Sequence, residues 1–270
     1  MRDVIKSSNN SLIKLIRSLK SKKNRSNHGM FIIEGIRFIE FAVENKIDLV
    51  EICYSKDMLF TDGGKNLFNK IKDKKIKSYE IEKKLFDSIT DTKNTQGIIA
   101  IAKIPEYKID FNNFTRKFIL ILDRIQDPGN LGTIIRTADA AGVDCIVISK
   151  GTVDPYNEKV LRSTMGSIFS MPIHYEKEIL EFINKLKDNE FNILSTCLNT
   201  NSYYDEVDYQ GKIAIVIGNE ANGVSEEIID ISDILVKIPI WGKAESLNAS
   251  IAAGIIMYEA SKNRNINKIK

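Results

Sequence analysis

Three short apolar runs do most to limit what this chain can fold into. Each breaks into a loop of small and polar residues and then into helix-like periodicity. They are Leu122–Gly142 (LDRIQDPGNLGTIIRTADAAG), Ile215–Ile228 (IVIGNEANGVSEEI) and Ile238–Ala260 (IPIWGKAESLNASIAAGIIMYEA). Runs that are apolar throughout, rather than alternating, suit parallel strands covered on both faces. Phe118–Leu122, Val143–Ile148, Phe191–Thr196, Ile213–Ile217 and Ile234–Ile238 all have this character. Helical spacing lies between them, as at Ile179, Phe182, Ile183 and Leu186. The pattern predicts a parallel-sheet, doubly wound α/β domain over 117–270. In such domains ligands bind where loops gather at the carboxyl ends of the strands.

Residues 1–105 read as a smaller α/β domain. Leu12, Leu15, Ile16 and Leu19 fall at helical spacing. Strands are expected at Met30–Gly35, Leu49–Cys53 and Gly97–Ala102, with helices over Ile36–Asn45 and Lys65–Lys75 and a turn at Thr61–Gly64. Pro105–Arg116 has no sustained period and reads as a linker. The net charge of +3 decides little, but Met1–Arg25 holds eight basic residues against one acid, Asp3. Such an arm suits either contact with phosphate backbones or a solvated helix face. Lys14, Arg17, Lys22, Lys23 and Arg25, together with Arg162 further along, are the cations expected to meet such a backbone.

Several classes drop out. No apolar run reaches the roughly 18–20 residues of a membrane span. The N-terminus lacks the apolar core of a signal peptide. Cys53, Cys145 and Cys197 are scattered and form no C-x-x-C pair, so free thiols and a cytoplasmic location are expected. His28 and His174 are isolated, so no metal is expected. Gly223 is followed by Val224 and Ser225 rather than by a phosphate-loop lysine, and no G-x-G-x-x-G occurs, which weakens nucleoside triphosphate and dinucleotide readings.

The loops carry the chemistry. Asp127-Pro128-Gly129 is a turn sequence, Asn130 is a candidate helix N-cap or a site residue, and Gly142 fits a helix stop. Arg136 lies inside a helix otherwise built of apolar and small residues, a setting in which a guanidinium calls for an anionic partner. Gly218-Asn219-Glu220 follows a strand directly, and Gly218 has no Cβ to keep a ligand off the backbone. Ser225, Glu226 and Glu227 read as a helix start. Ser246 and Asn248 precede a helix of small residues (Ala249, Ala252, Ala253, Gly254) that suits a crowded core or a subunit interface equally. Ser246 reads as a cap or as part of a pocket.

These three segments, in this order, resemble the motifs of the SpoU (TrmH-like) branch of RNA ribose 2′-O-methyltransferases. More loosely, IKSSNNSLIKLIRSLKSKKNRSNHGMFIIEG resembles the substrate-binding domain of the ribosomal RNA enzymes of that branch. Where family members often carry proline, this chain has Ser11 and Glu158. The resemblance implies a deep trefoil knot in the C-terminal domain, an exception to ordinary connectivity, and an RNA-binding N-terminal domain. It implies S-adenosylmethionine held around Thr196, Gly218, Asn219, Ile238 and Leu247, a homodimer built on the C-terminal helix, and 23S rRNA as substrate ahead of tRNA. Arg136, Asn130, Glu220, Ser246 and Asn248 are the implied catalytic set, with Asn130 and Glu220 holding Arg136 and the RNA in place and Ser246 and Asn248 completing the pocket. A guanidinium is a poor base, so Arg136 is expected to bind phosphate and stabilise a developing alkoxide. A catalytically silent RNA-binding protein and a different nucleotide-dependent α/β enzyme are the alternatives.

Overall fold

The computed structural model describes residues 4–90, 95–107, 109–111 and 117–265. The expected linker therefore lies partly outside the described residues. The chain forms two compact units: one takes residues up to Glu106 together with Tyr156–Leu161, the other Tyr107–Pro155 and the rest from Arg162 onward.

In the first unit, α1 (Ser11–Ser18) turns Leu12, Ile13 and Ile16 into the core, and the Asn10 side chain accepts from Leu12 N–H to cap it. Helix α2 (Lys22–His28) follows, capped by Ser21. The remaining elements are β1 (Met30–Glu34), α3 (Ile36–Glu44), β2 (Leu49–Tyr54), α4 (Asp62–Asp73), β3 (Ser78–Glu80), α5 (Lys83–Asp87) and β4 (Ile98–Lys103). The four strands form one sheet in the order β1-β4-β2-β3, antiparallel except for β2 with β3. Thr61–Gly64 is not a free turn. The Thr61 hydroxyl accepts from Gly64 N–H and starts α4, and a Cβ at Gly64 would lie 2.0 Å from the Met58 carbonyl oxygen. Tyr156 belongs to this unit through its ring, 4.7 Å from that of Phe31.

The second unit is a six-stranded parallel sheet. Its strands are β5 (Phe118–Leu122), β6 (Cys145–Ser149), β7 (Ile173–Glu176), β8 (Asn192–Thr196), β9 (Ile213–Ile217) and β10 (Ile234–Val236), in the spatial order β10-β8-β9-β5-β6-β7. Every described pairing in it is parallel. β5, β6 and β9 are buried along their whole length, as their uninterrupted apolarity predicts. The helices are α6 (Pro128–Ala141), α8 (Ile179–Asp188), α9 (Glu226–Ile231) and α10 (Ala249–Asn265), while α7 (Glu158–Thr164) crosses the division between the units. β7 is short and half-exposed, and nothing in its sequence, IHYE, announces a strand. Central β5 and β9 lie side by side, so the loops that leave their carboxyl ends meet.

Candidate active site

Loop one leaves β5 at Asp123. This side chain is buried and accepts from Ser225 N–H at 2.9 Å, Arg124 Nη2 at 3.0 Å and Ser149 Oγ at 3.3 Å. It ties the ends of β5 and β6 to the loop after β9. Arg124 sits at φ 58°, a left-handed conformation uncommon outside glycine, and its carbonyl accepts from Asn219 Nδ2 at 2.8 Å. Neither residue stood out in the sequence. An acid ending an apolar strand at the start of the first motif is the available signal for Asp123; Arg124, next in the same motif, offers none.

Asp127, not Asn130, caps α6: its carboxylate accepts from Asn130 N–H at 2.7 Å, with Pro128 at the start of the helix. This leaves the buried Asn130 side chain free for a second task. Its Nδ2 donates to Glu220 Oε1 at 3.0 Å, and its Oδ1 accepts from Asn248 Nδ2 at 2.9 Å. Glu220 also accepts from the backbone N–H groups of Gln126 and Asp127, both at 3.1 Å. Asn248 in turn caps α10, its Oδ1 accepting from Ser250 N–H at 2.9 Å and Ser250 Oγ at 2.7 Å. The cap of α10 is therefore Asn248 and not Ser246. One chain of hydrogen bonds, Glu220–Asn130–Asn248, staples all three loops together. Partial burial pushes the Glu220 carboxyl up, but the bonds from Asn130, Gln126 and Asp127 outweigh it and hold its pKa below the usual value.

Loop two is self-contained. Asn219 and Gly223 exchange backbone hydrogen bonds at 3.0 and 2.9 Å, and Asn219 Oδ1 accepts from the N–H groups of Ala221 and Asn222. A Cβ on Gly218 would lie 2.0 Å from Val224 N and 2.1 Å from Gly223 C. The glycine is thus required first by this turn, and access for a ligand is secondary.

A cavity of about 470 Å³ lies among these loops. Thr196, Gly218, Asn219, Ile238 and Leu247, the five residues expected around a cofactor, all line it, as do Glu220 and Ser246. Asn219 and Thr196 contribute walls rather than free polar groups, since their side chains bond to loop and sheet; the Thr196 hydroxyl donates to the Val216 carbonyl at 3.2 Å. Asn130 and Asn248 stand behind the lining as the staple.

Arg136 is exposed on α6 and stands apart from the staple, bonding to no partner among the described residues. Six residues beyond Asn130, it points about 240° around the helix from it. The expectation that Asn130 and Glu220 hold Arg136 is therefore corrected: they hold each other and Asn248. Among the expected RNA cations, Lys14, Arg17, Lys22, Lys23 and Arg162 are exposed. Arg25 is not. It is buried, and its Nη1 donates to the Leu19 and Lys20 carbonyls at 2.9 and 2.8 Å, satisfying the end of α1. Arg25 is structural, and the solvated-arm reading fails at this residue. No metal-holding cluster occurs among the described residues, and no described helix is long and apolar enough to cross a membrane.

A parallel α/β domain whose carboxyl-end loops close on one cavity of this size is built to bind a small cofactor. Comparison with known proteins specifies the class. Residues 117–258 match the SpoU rRNA Methylase family and residues 10–100 the MRM3-like substrate binding domain. The chain belongs to the SpoU rRNA methylase family. It is 33% identical over 254 residues to the 23S rRNA (guanosine(2553)-2′-O)-methyltransferase RlmP of Bacillus subtilis, covering 94% of this chain and 97% of that one. Among solved structures, the AdoMet-bound rRNA methyltransferase from Sinorhizobium meliloti superposes with a TM-score of 0.84 at 30% identity, covering 96% of this chain and 97% of that chain. The SpoU methyltransferase AviRb from Streptomyces viridochromogenes, in complex with AdoMet, gives 0.80 at 25% identity over 94% and 98%.

Proposed function

We propose that this protein transfers a methyl group from S-adenosylmethionine to a ribose 2′-hydroxyl of RNA, with 23S rRNA as substrate ahead of tRNA. The observation that carries the reading is a cofactor-sized cavity lined by two of the three stapled loops in a chain of the SpoU family. The B. subtilis relative is a 23S rRNA 2′-O-methyltransferase, and the S. meliloti structure contains AdoMet.

The cavity suits S-adenosylmethionine. Ile238 and Leu247 offer apolar walls for a purine, while Gly218 and Ser246 bring polar groups within reach of a ribose and an amino-acid moiety. When bound, the cofactor supplies an electrophilic methyl group. The chain's own contribution is to fix the walls, which the Glu220–Asn130–Asn248 staple does, and to place the incoming hydroxyl. Positioning of this kind accounts for a large part of many rate enhancements. Arg136, exposed on α6 and outside the cavity lining, is the cation that would bind the RNA phosphate and stabilise the developing alkoxide, with the hydroxyl proton passing to water. Glu220 is ill suited to take that proton, since its oxygens already accept three hydrogen bonds and its pKa is lowered.

A homodimer is part of this reading. Ile251 and Tyr258, seven residues apart on α10, are both exposed, so an apolar stripe faces outward from a helix whose other side packs on α6. The trefoil knot and a cytoplasmic location also belong to it; membership of the SpoU family supports the first, and three cysteines that form no disulfide support the second. The decisive test is methylation of total ribosomal and transfer RNA with radiolabelled S-adenosylmethionine, followed by mild alkali. A methylated ribose blocks cleavage of its own linkage, so label is expected in alkali-resistant dinucleotides of 23S rRNA. Label on a base, or a clear preference for tRNA, refutes the respective part.

A further inference from the structure

Trp241 is the chain's sole tryptophan and it is 91% exposed. An indole is a large apolar surface that folding ordinarily removes from water. Its location narrows what covers it. Trp241 lies in the segment joining β10 to α10, in which Ile238, Ile240, Glu245, Ser246 and Leu247 all line the cofactor cavity. Trp241 itself does not line it. The two other exposed apolar residues around the cavity behave differently: Leu198 (65% exposed) and Leu247 (36%) both line it, so a bound cofactor accounts for them. Trp241 is left outside the lining, in a segment whose neighbours on both sides face the cavity, with the exposed cation Lys243 two residues on.

We propose that Trp241 is a substrate-positioning residue: its indole stacks on an unpaired RNA base next to the target nucleotide, while Lys243 meets the adjoining phosphate. This rests on the function proposed above. An unpaired base presents a π-face whatever its identity, and stacking on an aromatic side chain is a main way single-stranded RNA is held. An exposed lysine without the indole would attract any phosphate backbone. Pairing it with a rigid aromatic surface selects RNA whose bases are splayed out. The enzyme would therefore take its target nucleotide from a loop or bulge and discriminate against the same nucleotide in a duplex.

Because Trp241 is the sole tryptophan, its fluorescence reports on this one position. In the free full-length protein the emission should be that of a water-exposed indole, open to acrylamide quenching. Adding the ribosomal RNA fragment that the wild-type enzyme methylates, with S-adenosylhomocysteine present, should quench it and shield it from acrylamide. S-adenosylhomocysteine alone should do neither. Trp241→Ala should raise KM for RNA by roughly 5- to 150-fold, the range of a lost base–aromatic stack, with cofactor affinity and melting temperature unchanged. Trp241→Phe should recover part of the loss. An indole already blue-shifted and acrylamide-resistant in the free protein would mean that a second copy of the chain covers it, and would overturn the proposal. So would unchanged fluorescence at RNA saturation, or an unchanged KM in Trp241→Ala. A wild-type protein that methylates no RNA is a different result: it removes the parent function, and this inference falls with it.

Discussion

Replacing Glu220 by glutamine tests whether the staple across the three loops holds the site together. The carboxylate accepts from Asp127 N–H and Asn130 Nδ2 on Oε1 and from Gln126 N–H on Oε2. Glutamine has one acceptor oxygen, and facing it toward the two donors on the Oε1 side retains the most. Its amide NH2 then confronts the Gln126 N–H, and that bond is lost. The two surviving bonds lose their charge assistance. A hydrogen bond to a charged group contributes about 1.5–3 kcal/mol and a neutral one about 1 kcal/mol. The gross loss, one charged bond lost and two weakened, is then about 2.5–7 kcal/mol, reduced to roughly 1–2 because Glu220 is exposed and water competes for its partners.

At roughly 2–4 °C per kcal/mol for a domain of this size, the transition of the second unit should fall by about 2–8 °C in calorimetry. S-adenosylmethionine affinity, read by titration calorimetry, should fall with it, since the staple fixes two loops that line the cavity. Acid supplies an internal control. The folded pKa of Glu220 is lowered, so its stabilisation is present above the ordinary carboxylate range of about 4.3 and is lost as pH drops through the lower folded value. The gap between wild type and Glu220→Gln should therefore close in acid. Equal melting at neutral pH, or a gap that persists undiminished in acid, refutes the reasoning.

Arg136→Ala should cut single-turnover rate by about 10²–10³ while melting temperature and cofactor affinity hold, and Arg136→Lys should rescue little because an ammonium lacks the planar fork; a destabilised but fully active variant would remove Arg136 from the reaction. Gly218→Ala should weaken S-adenosylmethionine binding by at least about tenfold, roughly 1.4 kcal/mol, because its Cβ meets loop backbone at 2.0 Å; unchanged affinity would show the loop opening at little cost. Replacing Lys14, Lys22 and Lys23 together by glutamate should weaken RNA binding and lower the salt dependence of log K by about 2–3, and an unchanged slope would place the RNA elsewhere. Ile251→Asp with Tyr258→Asp should shift sedimentation from dimer to monomer, and a dimer that survives both would rule out the α10 stripe as its interface.

Five of the six strands of the second unit, all but β7, are legible because burial leaves apolar runs, but their ends are not. Val143 is apolar and buried yet precedes β6, since its N–H bonds to the Ala138 carbonyl as part of the close of α6. Ile238 follows β10 because it lines the cavity instead of extending the ladder. Apolarity reports burial and does not say what the residue is buried against. The basic arm shows the same limit for charge. Lys22 and Lys23 are exposed, but Arg25 in the same run turns inward to the last carbonyls of α1, a demand set by the helix end rather than by the local composition.

The site residues divide along a related line. Their identities were readable in the motifs; their partners were not. Asn130 bonds to Glu220 across 90 residues and to Asn248 across 118. An asparagine near a helix start is locally consistent with capping; that holds for Asn248, which caps α10 in place of Ser246, and fails for Asn130, because Asp127 caps α6. Pro128, at the first position of α6, was the local sign that the cap lay one residue earlier. Once Asp127 takes the cap, the Asn130 amide is buried with both a donor and an acceptor to satisfy, and a buried amide left unpaired is costly. Glu220 and Asn248 meet those two needs from opposite sides. The pairing that a sequence cannot display is thus required by the one local fact it can, the position of the helix start, because that position decides which asparagine must find its partners far along the chain.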